Sequence, residues 1–153
     1  LDKLYDTRLP RVEIKQSTIY ALLKTINSHN EIYRAAGAVH GCALCDGANI
    51  LYFVEDVGRH NAPDTIAGEM WLDDISGNDK IFYTTGRLTS EIVMKAAHMG
   101  VPVLISRSGI TCMGLELAQD LGVTMVARAK GRHFLVYNGD DTVIYDDIPD
   151  KRP

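Results

Sequence analysis

Apolar residues recur at Ile19, Leu22, Leu23 and Ile26, the spacing of one helix face, so residues 18–28 are read as an amphipathic helix with Ser17 as its cap. Two strand-like runs follow, residues 35–44 and 49–54, separated by Cys45-Asp46-Gly47-Ala48. The Asp-Gly pair favours a tight turn, so these runs are expected to pair antiparallel. Residues 62–72 read as a second helix, with Pro63 near its first turn. The chain then alternates: strand 80–84, helix 90–99 ended by Gly100, strand 101–105, helix 111–121 ended by Gly122, strand 123–127. A last run, Phe134-Leu135-Val136-Tyr137, follows a short basic turn and predicts one more strand, closed by Asn138-Gly139. Residues 1–16, with Pro10, read as an extended linker or N-terminal remnant, and 140–153 as a loosely packed acidic tail.

Strand and helix in alternation mean a largely parallel sheet covered by helices. The order helix, two strands, helix, strand, helix, strand, helix, strand, strand matches a three-layer α/β/α cytidine deaminase-like fold with a mixed sheet, placed in residues 17–139. The His-x-Glu and Pro-Cys-x-x-Cys motifs that supply zinc and the general acid/base in deaminases are absent. A deaminase-like scaffold without deaminase chemistry is the expectation, and a fold alone does not name a function.

Composition permits this fold without staples, because 46% apolar residues in a chain of 153 suffice for one hydrophobic core. The net charge of −4 argues against a generic nucleic-acid coat, although it leaves room for a local basic patch. Three cysteines, no signal peptide and no apolar run of spanning length point to a reducing compartment, the cytoplasm, with no membrane partner. Leu1 in place of an initiating methionine suggests a piece of something longer.

The densest chemistry lies in Glu55-Asp56-Val57-Gly58-Arg59-His60-Asn61, where two acids, an arginine, an imidazole and an amide surround one glycine at a strand-to-helix corner. Ligands of open α/β sheets bind at such corners, and helix N-termini suit anions. His60 is the candidate there for ligand contact or proton transfer. Two more loops have the look of phosphate cradles: Thr84-Thr85-Gly86-Arg87-Leu88-Thr89, with Thr89 or Ser90 as cap, and Ser106-Arg107-Ser108-Gly109-Ile110-Thr111. A fourth, Arg128-Ala129-Lys130-Gly131-Arg132-His133, holds up to four cationic groups in six residues. Taken singly, each reads as a capped turn or a solvated charge run. Together they predict that Arg59, Arg87, Arg107, Arg128, Lys130 and Arg132 converge on one cleft for a multiply anionic, phosphate-bearing ligand.

Cys42-Ala43-Leu44-Cys45 invites a redox or zinc reading, and with His40 it makes His-x-Cys-x-x-Cys. Alternation along a strand sends the two thiols to opposite faces, which favours core packing and leaves both as weak catalytic candidates. Cys112 sits near a helix start, where its neighbours Met113 and Leu115 predict a packing face.

These motifs resemble the FdhD/NarQ family, the accessory sulfurtransferases of formate dehydrogenase. The resemblance rests on Gly37-Ala38-Val39-His40, on Glu55 through Ala62, on Gly86-Arg87 with Ser90-Glu91-Ile92-Val93, and on the basic turn before Val136-Tyr137, and it covers residues 32–139. It implies a sulfur carrier that takes sulfur from a cysteine desulfurase and passes it to the molybdenum or tungsten bis-guanine-dinucleotide cofactor of formate dehydrogenase. It further implies a homodimer, a deaminase-like fold and a cofactor-binding segment at Arg128 through His133. Family members carry their relay cysteines in a C-x-x-C loop upstream of the glycine-histidine strand, so that role does not pass to Cys42 or Cys45. The chain is then either the cofactor-binding portion of a longer member or a cofactor chaperone that binds guanine nucleotides without a relay. A weaker third reading is a zinc hydrolase through His40, Cys42 and Cys45.

Overall fold

The computed structural model describes residues 12–34, 40–56 and 61–146. Within them, eight strands, four α-helices and one short 3-10 turn follow the expected alternation. Strand β1 (Ile14–Lys15) leads into α1 (Gln16–Arg34), then the hairpin β2 (His40–Asp46) and β3 (Asn49–Asp56), α2 (Asn61–Leu72) and β4 (Ile81–Thr84). Helix α3 (Ser90–Met99), β5 (Val103–Ser106), α4 (Cys112–Leu121), β6 (Thr124–Lys130), β7 (His133–Asn138) and β8 (Val143–Ile144) complete it.

Six strands form one mixed sheet in the order β3-β2-β4-β5-β6-β7, with β4, β5 and β6 parallel and the rest antiparallel. The expected β2–β3 pairing is present, although the two residues at the hairpin tip are Gly47 and Ala48, with Gly47 at φ +58, a region glycine enters without steric cost. Alternation along the strands feeds two cores. Cys42, Leu44, Phe82, Leu104 and Met125 face α2, α3 and α4, while Ala43, Cys45, Tyr83, Ile105 and Val126 face α1. Helices on both faces make this a three-layer α/β arrangement. Helix α1 docks through Ile19, Leu22, Leu23 and Ile26, the stripe read from the sequence, but runs longer than 18–28.

Helices α3 and α4 begin alike. Thr89 Oγ1 accepts from the Ile92 N–H and Thr111 Oγ1 from the Gly114 N–H, and Gly100 and Gly122 close the two helices in the left-handed region. Their entry loops run side by side, joined at a parallel bridge between Leu88 and Ile110. The packing face of α4 is Gly114, Leu117, Ala118 and Leu121, so Cys112 and Met113 are exposed, against the expectation.

The ends of the chain do more than the sequence predicts. β1 and β8 pair in parallel, and Ile14 and Val143 are both buried beneath α1. Ser17 sits inside the first turn of α1 and donates from both its N–H and its hydroxyl to Asp146, so the acidic segment caps this helix in place of Ser17. Those bonds, the hydroxyl's first, hold the Asp146 carboxyl below its ordinary pKa.

A Cβ at Gly114 would stand 2.6 Å from the Leu88 carbonyl oxygen and 3.0 Å from Thr111 Oγ1. That clash is with backbone and outweighs the gain in helix propensity of about 1 kcal/mol. Gly114→Ala is therefore expected to lower unfolding free energy by about 1–3 kcal/mol, read by urea titration.

Candidate functional site

Strand direction decides where polar groups collect. The carboxyl ends of β3, β4, β5 and β6 and the amino end of β2 share one sheet edge, since Asp56 pairs with His40, Cys42 with Thr84, and Thr84 with Ser106. All four loops singled out in the sequence leave from this edge. Of the heptad, residues 57–60 lie outside the described residues, Arg59 and His60 among them. Only the backbone of Glu55, Asp56 and Asn61 is placed, at the end of β3 and the start of α2.

A cleft of about 780 Å³ opens there on the α1 side of the sheet. Ser17, Tyr20, Lys24 and Asn27 of α1 form one wall, Arg107 and Tyr83 come from β4–β5, and Ala129 through Arg132 form the opposite rim. Among the described residues, Lys24, Arg107, Lys130 and Arg132 give this lining four cations and no carboxylate, in a chain of net charge −4. Such a concentration of unlike charge attracts an anion through both field and hydrogen bonds.

Of the five described members of the predicted convergence, three line the cleft, and Arg59 lies outside the described residues. Arg107, Lys130 and Arg132 reach the cleft, whereas Arg87 is exposed outside its lining, and Arg128 lays its guanidinium against Gly109, with Nη2 3.0 Å from where a Cβ there would sit. Arg128 adopts φ +54 at a bulge in β6, and its N–H donates to the Ser108 carbonyl, so the strand is bent toward the neighbouring loop. His133 is exposed on β7 and lines an adjoining hollow of about 470 Å³.

The two phosphate-cradle loops use their hydroxyls on each other. Ser106 Oγ donates to the Gly86 carbonyl and accepts from the Ser108 N–H, Thr84 Oγ1 accepts from the Gly86 N–H, and the Gly41 N–H donates to Thr85 Oγ1. Gly86, Arg87 and Ser108 thus belong to a braced layer beside the cleft and not to its lining.

The α1 wall and Tyr83 were missed in the sequence, although the signal exists. Tyr20, Lys24 and Asn27 recur at i, i+4 and i+7 beside the apolar stripe, so they border the docked face. Tyr20 is buried, and Arg132 Cζ rests 4.5 Å from its ring centroid. The Tyr83 ring is 2% exposed, and its hydroxyl has no hydrogen-bond partner among the described residues. Burial pushes this phenol up to about 12, against the pull of Arg107, so it enters the cleft as a neutral donor.

Cys42 and Cys45 are buried on opposite faces of the sheet, Cys42 with its thiol 3.4 Å from Thr84 Oγ1. Burial raises both thiols, Cys45 to about 12, which suppresses the reactive thiolate. Among the described residues no group of three or more His, Cys, Asp or Glu could hold a metal, and no helix is long and apolar enough to cross a membrane.

The FdhD/NarQ family model matches residues 1–144. The sulfur carrier protein FdhD of Bacillus pumilus is 36% identical over 135 residues, covering 88% of this chain and 52% of that protein. Its counterpart in Bacillus subtilis is 32% identical over 141 residues, covering 92% and 54%. A crystal structure described as a formate dehydrogenase accessory protein of Desulfotalea psychrophila superposes with a TM-score of 0.82 at 31% identity, over 94% of this chain and 63% of that one. The chain spans about half the length of the curated relatives it matches.

Two outcomes are expected from the thiols. In the native protein a disulfide reagent should label Cys112 within seconds to minutes, and Cys42 and Cys45 only as fast as the protein unfolds. Because the unfolded chain ionises Cys45 near pH 9 while the folded one keeps its proton until about 12, stability present below pH 9 should fall as pH rises through that window. In urea titrations between pH 8 and 11, Cys45→Ala should show the shallower decline.

Proposed function

This chain belongs to the FdhD/NarQ family, and we propose that it grips the guanine-dinucleotide arm of a molybdenum or tungsten cofactor during sulfur loading of that cofactor for formate dehydrogenase. In this reading the sulfur comes from a cysteine desulfurase, and the cofactor is cargo, held for the time of transfer. The observation that carries the reading is the cleft lined by Lys24, Arg107, Lys130 and Arg132, with no carboxylate among its described lining residues. A pyrophosphate bridge bears two negative charges on a compact group, which arginine forks and a lysine bind with little reorganisation. The Tyr83 hydroxyl gives the floor a neutral hydrogen-bonding group beside Leu23 and Ile26, suited to an uncharged ring at the other end of the ligand.

The braced loops support the same role. Two bonds tie 84–86 to 106–108 and one more braces each loop internally, so Arg107 projects from a layer with little freedom, and less ordering is needed on binding. A deaminase-like scaffold is part of the proposal, supported by helices on both faces of a mixed sheet and a cleft at one sheet edge. A cytoplasmic location and a homodimer are part of the same proposal.

A second reading is favoured by the buried thiols. Cys42 and Cys45 are poor persulfide carriers, because an incoming sulfur donor needs an exposed, ionised thiol. These residues then make a cofactor-binding module or chaperone, and the sulfur-bearing cysteine is neither of these two.

Calorimetric titration with guanosine diphosphate tests the placement of the site. Replacing Lys130 and Arg132 by alanine should weaken binding by at least about tenfold, given charge-assisted bonds of about 1.5–3 kcal/mol each; unchanged affinity would move the site elsewhere. After incubation with a cysteine desulfurase and its cysteine substrate, intact mass with persulfide alkylation should find Cys42 and Cys45 unmodified, and an adduct on either would overturn their exclusion.

A further inference from the structure

We propose that Tyr83 is a specificity-determining residue of the cleft: its hydroxyl donates to an oxo group on the ring of the ligand and so selects a 6-oxopurine over a 6-aminopurine. The purine as ligand rests on the reading given under Proposed function, whereas the unpartnered hydroxyl does not. Tyr83 stands on β4 between its register partners Ala43 of β2 and Ile105 of β5, and all three face α1. For packing at that position phenylalanine would serve as well, so the hydroxyl needs a reason of its own. Tyr20, Tyr52 and Tyr145 bond to Gln16, Asp73 and Asp140, whereas Tyr83, at 2% exposure, has no hydrogen-bond partner among the described residues. Every sealed side-chain oxygen or nitrogen among those residues does have one, so the Tyr83 oxygen is not sealed. Its opening is the cleft, which Tyr83 lines together with Leu23 and Ile26.

Arg107 sets the direction of the bond. It lines the same cleft, and its charge acts on the phenol. An oxygen in the field of a guanidinium turns its lone pairs toward the cation and its O–H away, so the ligand meets a donor. Burial keeps the phenol protonated, so that donor is present at neutral pH. While the cleft is open, water can meet this O–H; a ring seated against Leu23 and Ile26 displaces the water and must replace its bond. A ring carbonyl does so. A ring amino group brings a second donor to the same spot and leaves both unpaired beside a cation.

Calorimetric titrations with guanosine, inosine and adenosine diphosphates separate the outcomes, since inosine keeps the oxo group and lacks the exocyclic amine. The unsubstituted protein should bind the guanosine and inosine diphosphates at least about tenfold more tightly than adenosine diphosphate. Tyr83→Phe should weaken the first two by about three- to tenfold, the span of one hydrogen bond, and leave the third within about twofold, so that the preference shrinks. A structural role for the hydroxyl would show in a second measurement that needs no ligand. Tyr83→Phe should keep or raise the urea midpoint of unfolding, because the group it removes bonds nothing in the fold. Equal losses for all three nucleotides, a preference that is absent or untouched by the substitution, or a lowered midpoint would each overturn the role of Tyr83 and leave the ligand reading standing. Failure of the unsubstituted protein to bind any of the three would overturn the ligand reading, and the selection by Tyr83 with it.

Discussion

Strands β4 and β5 are buried along their whole length because helices cover both faces of the sheet. A strand enclosed on two sides cannot display a polar side chain to solvent from its middle, so polar function is forced to its ends. Parallel direction then puts the ends of β4, β5 and β6 on one edge, and the antiparallel β2–β3 hairpin returns to the same edge. The backbone groups that the sheet no longer pairs there must find partners. Thr84, Thr85 and Ser106 supply them, with the side-by-side run of Leu88 and Ile110. The site is therefore built in two tiers, a hydroxyl-braced layer of loops and, beside it, an open cationic cleft against α1.

Separating the tiers changes what each basic residue does. Arg128 spends its guanidinium on Gly109 and its N–H on Ser108, so it bends β6 and steers Ala129 through Arg132 toward α1. Arg107 leaves the braced layer on the cleft side, near enough for its charge to act on Tyr83. Cations from three separate elements meet in one cleft, while pairs such as Lys95 with Asp64 and Glu91 lie on the outer helical surface. Exposed pairs of that kind contribute little to stability, whereas cations gathered in a cleft raise local anion concentration.

Period and punctuation carried most of the fold. Glycines at 100 and 122, threonines at 89 and 111 and the alternation around Cys42 and Cys45 each encode a local conformational preference, and each appears where that preference predicts. What local patterns cannot encode is which side of an edge a loop residue faces. Arg87, Arg107 and Arg128 look equivalent in sequence, and only bulge geometry and the position of α1 separate them. The α1 wall was obscured by its own apolar stripe, since Ile19 and Leu22 explain the helix fully without Tyr20, Lys24 or Asn27. The pairing of β1 with β8 was beyond reach for another reason: two-residue strands leave no periodicity to read.

That pairing bears on the order of assembly. The Ser17–Asp146 bonds join residues 129 positions apart and hold the first turn of the helix that walls the cleft. Contacts of such separation carry the largest loop-closure cost in an unfolded chain and gain most from everything between them being already in place. The cleft is accordingly a late product of folding. A nascent chain still lacking its last described strand would own the cationic rim but have its opposite wall unfastened, so the cleft would be complete only once synthesis had passed residue 146.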